Sequence, residues 1–334
     1  MAKNHEQEIT MIFTRKLGNL EVSPLGLGCW AIGGPFWAGD QPLGWGEVDD
    51  EESIRAIHAG LDMGANFLDT ADVYGAGHSE RVLARALKGR RDKVIIATKF
   101  GYTFDETTKQ TGPSNASPAY IRQACEASLR RLNTDYLDLY QFHINSYPVE
   151  EAAPVRDTCE ELVKEGKIRY YGWSTDFPER AAVFAEGKHC VAIQHDLNVI
   201  ADNAPLLTFI EAHGLASINR GPLGMGLLSG KYDANTQLAA DDIRGKSPDW
   251  MQYFHDGVPN PVWLAKLAAI RDILTSEGRT LAQGALAWIW GRSSTTIPIP
   301  GFRTVQQVTE NVGAMAFGPL TVEQMKEIDG ILGR

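Results

Sequence analysis

Eight short apolar segments recur along this chain, each separated from the next by a longer stretch with helical spacing. That alternation restricts the fold more than any other feature. The segments lie at 25–30, 66–69, 94–99, 137–143, 168–173, 191–194, 215–219 and 296–298. Short apolar strands alternating with helices imply parallel strands joined by helical crossovers. Eight repeats point to a closed (β/α)8 TIM barrel, an α/β fold, rather than an open doubly wound sheet. The open sheet would need its dinucleotide fingerprint in the first strand–helix turn. Gly26 and Gly28 are there, but Gly33 falls in a longer loop and no helix opens until after Asp49. Dividing 334 residues by about 150 per domain suggests two domains. The repeat count instead assigns 11–334 to a single barrel domain, preceded by a flexible extension at 1–10.

Helices are expected at 50–63, 79–87, 118–132, 148–165, 178–185, 203–213 and 304–312, with an extra C-terminal helix at 321–332. Acidic residues at 50–52 suit a helix start, Gly64 suits a helix end, and Ser117-Pro118 reads as a cap followed by Pro at the first turn. Residues 261–277 and 281–291 read as one broken helix or two. An N-terminal β-hairpin is expected at 11–23 around Gly18-Asn19. The connections 31–48 and 221–260 are long and fall at the C-terminal face of the barrel, where loops of this kind shape pockets.

Composition narrows the function classes. The net charge of −10 argues against a sequence-independent nucleic-acid binder, while leaving room for a local basic pocket. Four cysteines without a CxxC pair suit reduced thiols rather than a disulfide framework. The histidines form no HExxH metal motif. The polar start MAKNHEQEIT lacks the apolar stretch of a signal peptide, and no run of about 18 apolar residues could cross a bilayer. A cytoplasmic enzyme with no membrane or nucleic-acid partner is the expectation.

The chemistry gathers at the strand ends. Asp69 ends the second segment, Tyr74 follows five residues later, Lys99 ends the third and His143 ends the fourth. Each alone has an ordinary structural explanation: a cap, a packed loop residue, a solvated lysine, a core histidine. Convergence of four compatible types on one barrel face reverses those odds. A lysine beside a tyrosine favours the phenolate and is expected to lower the tyrosine pKa. A carboxylate holds that lysine charged and in place. Such a tyrosine serves as general acid, and a neutral histidine orients a carbonyl oxygen.

Longer stretches carry a family resemblance: NFLDTADVYG at 66–75, IATKFG at 96–101, DYLDLYQFH at 135–143, GPLGMGLLSGK at 221–231 and IPIPGFRT at 297–304. From about residue 11 onward the chain resembles the aldo-keto reductases, NADPH-dependent (β/α)8 enzymes. The resemblance implies Tyr74 as acid, Asp69 and Lys99 as its tuners, and His143 as carbonyl orienter. It implies that Ser174 and Gln194 grip the nicotinamide carboxamide, with Thr175 standing where asparagine is usual. It places Arg220 where an aromatic ring often stacks on the nicotinamide; a barrel-rim ion pair is the alternative. It lays Gly221, Pro222, Leu223, Gly224, Gly226 and Lys231 over the pyrophosphate. Arg303 and Thr304 would meet the 2′-phosphate, favouring NADPH over NADH, while Gln307 and Asn311 would contact adenine or ribose. Glu310 either joins them or pairs with Arg303. Trp30 and Gly301 complete the implied cofactor contacts.

The expected activity is reversible reduction of an aldehyde or ketone, a sugar- or polyol-derived carbonyl among the options. The alternatives are a nicotinamide-binding regulatory or sensor subunit with little turnover and a metal-dependent barrel hydrolase or isomerase. Phe36, Trp37, Trp45, Tyr102, Tyr147 and the 233–260 segment are the expected pocket walls. Such aromatic walls suit sugars, polyols and aromatic aldehydes alike.

Overall fold

A computed structural model describes residues 13–334, so the expected extension at 1–10 and the first residues of the hairpin lie outside the described residues. All eight expected strands form. In chain order they are Leu27–Gly28, Phe67–Asp69, Ile95–Phe100, Leu137–Phe142, Ile168–Ser174, Cys190–Asp196, Ala216–Arg220 and Thr296–Pro298. Neighbouring strands pair in parallel and in chain order.

The first and last strands close the ring. Gly26 N–H donates to the Pro298 carbonyl (2.9 Å), Gly28 N–H donates to the Pro300 carbonyl (3.0 Å), and Gly28 bridges to Gly301. Gly28 is required at this seam, because a Cβ there would lie 2.5 Å from the Ile299 carbonyl oxygen. The architecture is the (β/α)8 barrel.

The hairpin Arg15–Leu17 and Leu20–Val22 covers one end of the barrel. Its Leu17 and Val22 join the interior cluster with Phe67, Ile95, Leu139 and Ile297. Burial of each such side chain stabilises the fold by roughly 1.5–3 kcal/mol. The opposite end, where the strands finish, is left for polar chemistry.

Helices form the outer layer close to their expected bounds, including the C-terminal Val322–Leu332. Two readings sharpen. The helix expected from 148 is a short 3-10 turn, Val149–Glu151, followed by an α-helix at Ala153–Lys164. Residues 261–291 are two helices, Pro261–Leu274 and Leu281–Arg292. They are separated where Glu277 takes φ 60° and Thr280 starts a capping box with Gln283. Among the described residues no helix is long and apolar enough to cross a membrane.

A four-stranded sheet over the C-terminal face was not expected. It runs Gln41–Pro42, Trp37–Ala38, Gln110–Ser114 and Tyr102–Asp105. These strands have only 2–5 residues and show no sustained apolar alternation, so periodicity misses them. The 233–260 segment folds onto the same roof: Ile243 N–H donates to the Gly44 carbonyl (2.9 Å). Next to it, Arg244 grips Asp242 through Nε (2.8 Å) and Nη2 (2.6 Å), with its guanidinium 4.5 Å from the Trp45 ring centre. The two long connections are thus one joined structure above the strand ends.

Candidate active site

Beneath this roof is a cleft of about 1000 Å³. Its floor is the barrel's polar end. Lys99, fully buried, donates from Nζ to Asp69 Oδ1 (2.5 Å), to the Thr70 carbonyl (2.8 Å) and to Tyr74 Oη (3.4 Å). The other carboxylate oxygen of Asp69 accepts from Gln141 Nε2 (3.0 Å) and Gln194 Nε2 (2.7 Å). Every strong acceptor of Asp69 is therefore satisfied, as a buried charge requires. The tetrad expected from the strand ends is assembled: Asp69, Tyr74 and His143 line the cleft, and Lys99 works from behind them.

The electrostatics correct one expectation. Tyr74 is not acidified by its surroundings. Burial raises its pKa, Lys99 opposes this and Asp69 reinforces it, and the net shift is upward. Burial works against the Lys99 charge, but Asp69 and Tyr74 outweigh it and hold the ammonium form. Tyr74 is thus a phenol with a secured proton beside a fixed cation. Burial, with Lys99 and Arg220 nearby, pushes His143 well below its ordinary range, so the ring is neutral. Its Nδ1 is buried with no partner, which leaves Nε2 as the nitrogen available to the cleft. The His143 ring meets Tyr74 edge-on at 5.8 Å and Tyr102 at 5.5 Å.

The residues implied as cofactor contacts divide. Trp30, Ser174, Gln194, Arg220, Gly221, Pro222, Leu223, Gly226, Lys231, Gly301, Arg303, Gln307, Glu310 and Asn311 all line the cleft. Thr175 and Gly224 do not. Thr175 is buried and donates from Oγ1 to the Asn145 carbonyl (2.9 Å). Gly224 is buried and takes φ 54°, a left-handed conformation that suits glycine. Gln194 donates its Nε2 to Asp69, so it supports the tetrad while it lines the cleft.

Arg220 forms an ion pair with Asp176 at the cleft wall, the arrangement the alternative reading expected. Trp30 stacks on Tyr74, with ring centres 5.8 Å apart at 18°. Arg303 reaches back to the Trp45 carbonyl (2.9 Å) and the Glu47 carbonyl. Among the described residues it pairs with no carboxylate, Glu310 included. Gln307 accepts from Arg303 N–H (2.7 Å), and Val305 N–H at the helix start donates to Glu52 Oε1 (2.9 Å).

Of the expected walls, Phe36, Trp45 and Tyr102 face the cleft, joined by Trp250, Ile243 and Tyr253 of the 233–260 segment; Trp37 and Tyr147 lie outside it. Sequence reasoning missed Asn145, Asp176 and Asp196. Each stands within three residues of a strand end, the signal that found Asp69 and Lys99. No group of three metal-ligating side chains occurs among the described residues.

Comparison with known proteins agrees with the geometry. The model of the Aldo/keto reductase family matches residues 24–332. Aldo-keto reductase YhdN of Bacillus subtilis is 33% identical over 320 residues, covering 94% of this chain and 91% of the relative. The aldo-keto reductase yakc of Schizosaccharomyces pombe, whose name specifies NADP(+), is 30% identical, covering 94% and 90%. Among solved structures, the glycerol dehydrogenase AKR11B4 of Gluconobacter oxydans superposes with a TM-score of 0.78 at 32% identity, covering 96% of this chain and 95% of that one. An aldo/keto reductase of Klebsiella pneumoniae in complex with NADP and acetate gives 0.67 at 27%, covering 96% and 95%. Family match, barrel and buried lysine agree: this chain is an enzyme of the aldo-keto reductase family.

Proposed function

We propose that this chain reversibly reduces an aldehyde or ketone to the alcohol with NADPH, Tyr74 acting as general acid. The observation that carries the reading is buried Lys99, held between Asp69 and Tyr74 next to a neutral His143. The donor set of the cleft fits a phosphorylated dinucleotide: a serine hydroxyl at Ser174, a glycine-rich loop at 221–226, and Lys231 and Arg303. The nicotinamide supplies the hydride when bound.

The chain's own groups do the rest. His143 donates to the substrate carbonyl oxygen and fixes its direction. Tyr74 donates its proton to the same oxygen as charge develops there. Lys99 stabilises the phenolate this leaves, and Asp69, anchored by Gln141 and Gln194, keeps Lys99 aimed. The roof formed by 31–48 and 233–260 limits water around the oxygen.

The aromatic rim of Trp30, Phe36, Tyr102 and Trp250 suits planar aldehydes and the apolar faces of sugars. A panel of aldehydes, ketones and sugars, read by nicotinamide absorbance with NADPH and with NADH, tests the reading. Oxidation of NADPH by at least one carbonyl is expected. No turnover with either cofactor, despite binding, would favour the sensor alternative.

A further inference from the structure

One hydroxyl at the reacting end has no part in the proton chemistry. Tyr102 lines the cleft, and its ring meets the His143 ring edge-on with centres 5.5 Å apart. Tyr74 meets the same imidazole at 5.8 Å. His143 thus contacts two tyrosines, and Tyr74 is the one with Lys99 at its oxygen.

The fold pins Tyr102 in place. It follows the third barrel strand by two residues. Gly101 between them takes φ 130°, and a Cβ there would lie 3.0 Å from Ile144 Cγ1. The Tyr102 carbonyl accepts from Tyr120 Oη (2.6 Å), and the residue pairs with Ser114 in the small sheet.

The surroundings show where its hydroxyl points. Arg220 ends the seventh strand, four strands round the ring from the third, so the two strands face each other across the barrel mouth. Burial raises the Tyr102 pKa, and the Arg220 charge opposes that rise. A hydroxyl that feels the opposite wall points inward over the strand ends. The same cation acts on Tyr74 and His143, so the three groups border one space. The other cleft cations are engaged elsewhere: Lys231 lies over the Tyr232 ring (4.9 Å), and Arg303 is held by the Trp45 and Glu47 carbonyls.

The Tyr102 carbonyl is hydrogen-bonded, but its hydroxyl has no hydrogen-bond partner among the described residues. Other polar side chains of the cleft wall are committed. Trp30 Nε1 donates to the Leu43 carbonyl (3.0 Å), Thr111 Oγ1 to the Trp37 carbonyl (3.1 Å) and Asn145 Nδ2 to Asp176 Oδ2 (3.0 Å). An enclosed hydroxyl without a protein partner favours a ligand that supplies one. Lys99 and Arg220, the cations bordering this space, are already paired with Asp69 and Asp176. A carboxylate there would lack a counter-ion, whereas a neutral oxygen needs none. On the NADPH-linked reading above, Tyr74 and His143 claim the carbonyl oxygen. Tyr102 then meets the next polar group of the substrate.

We propose that Tyr102 determines specificity, its hydroxyl binding a neutral oxygen on the carbon next to the carbonyl. Hydroxyaldehydes and hydroxyketones are thereby preferred over alkyl carbonyls of the same size. The inference rests on the NADPH-linked reading and narrows its substrate class.

The test compares hydroxyacetaldehyde with propanal, which differ by a hydroxyl in place of a methyl group. The ratio of their kcat/KM values with NADPH is read by nicotinamide absorbance for the unaltered chain and for Tyr102→Phe, which keeps the ring against His143. Aldehyde hydration and intrinsic reactivity are the same for both proteins and cancel. The unaltered chain should prefer hydroxyacetaldehyde. The variant should lose about tenfold of that preference, the size of one hydrogen bond, chiefly through KM because the contact is away from the reacting atoms.

An unchanged ratio would overturn the proposal and leave Tyr102 a packing role beside His143. If the variant does not fold, the unaltered chain decides: no preference for hydroxyacetaldehyde over propanal, corrected for hydration, refutes the proposal. Turnover confined to carbonyls without an adjacent oxygen would refute this inference alone. Reduction of no carbonyl at all, despite NADPH binding, would refute the proposed activity and this inference together.

Discussion

Replacing Lys99 by methionine perturbs the most tightly coordinated group in the barrel. Its ammonium has three acceptors, Asp69 Oδ1, the Thr70 carbonyl and Tyr74 Oη. Methionine fills the stem's volume but leaves Asp69 ionised and buried, with only Gln141 and Gln194 as donors. Breaking a buried pair from one side costs about 3–5 kcal/mol. The two remaining donors to Asp69 place Lys99→Met near the lower limit, about 3 kcal/mol. Adding Asp69→Asn removes the stranded charge, so the double variant should recover to within about 1 kcal/mol of the unaltered chain. Neither variant should regain turnover, because the phenolate of Tyr74 has lost its cation. Urea unfolding read by tryptophan fluorescence gives the stabilities, provided m-values stay constant. Unaltered stability of Lys99→Met, or a double variant no better than the single one, would refute the buried-charge reasoning.

Two further outcomes follow from the site. Burial raises the Tyr74 pKa and lowers that of His143, so the reacting forms are phenol and neutral imidazole. The single-turnover reduction rate should be flat from about pH 7 to about pH 9 and fall only as Tyr74 ionises, above its ordinary value of about 10; a falling limb centred near neutral pH would contradict this. Arg303→Ala should weaken NADPH about tenfold and NADH by no more than about twofold, as expected for a charged partner of the 2′-phosphate; equal losses in equilibrium binding would show that Arg303 merely tethers the Trp45 and Glu47 carbonyls.

The barrel was legible because its strands are short, mostly buried segments that alternate with helical stretches, a pattern that does not depend on the detail of packing. Their ends were less so. The sixth strand extends to Asp196 and the seventh to Arg220, and both residues become part of the cleft wall only through that extension. Asp69, Tyr74, Lys99 and His143 were legible because strand ends converge in a barrel. Burial is not a local property, however. The sequence therefore anticipated the Lys99–Tyr74 contact but not the upward shift of Tyr74, where desolvation outweighs the cation. The family resemblance placed Gln194 at the cofactor, but it gave no sign of the Nε2 hydrogen bond to Asp69 across the barrel, 125 residues away in sequence. The small sheet joining Trp37–Ala38 to Gln110–Ser114 depends on partners distant in the chain and on strands too short to show a period.

The most direct test of Tyr74 as the proton donor is Tyr74→Phe, with NADPH binding and carbonyl reduction measured on the same preparation. The ring is kept, so its stacking on Trp30 and its contact with His143 remain. We expect the NADPH dissociation constant to stay within about twofold while reduction falls by about 10²–10⁴, the range for loss of a positioned acid. Retention of most of the activity would contradict the assignment of the proton to Tyr74.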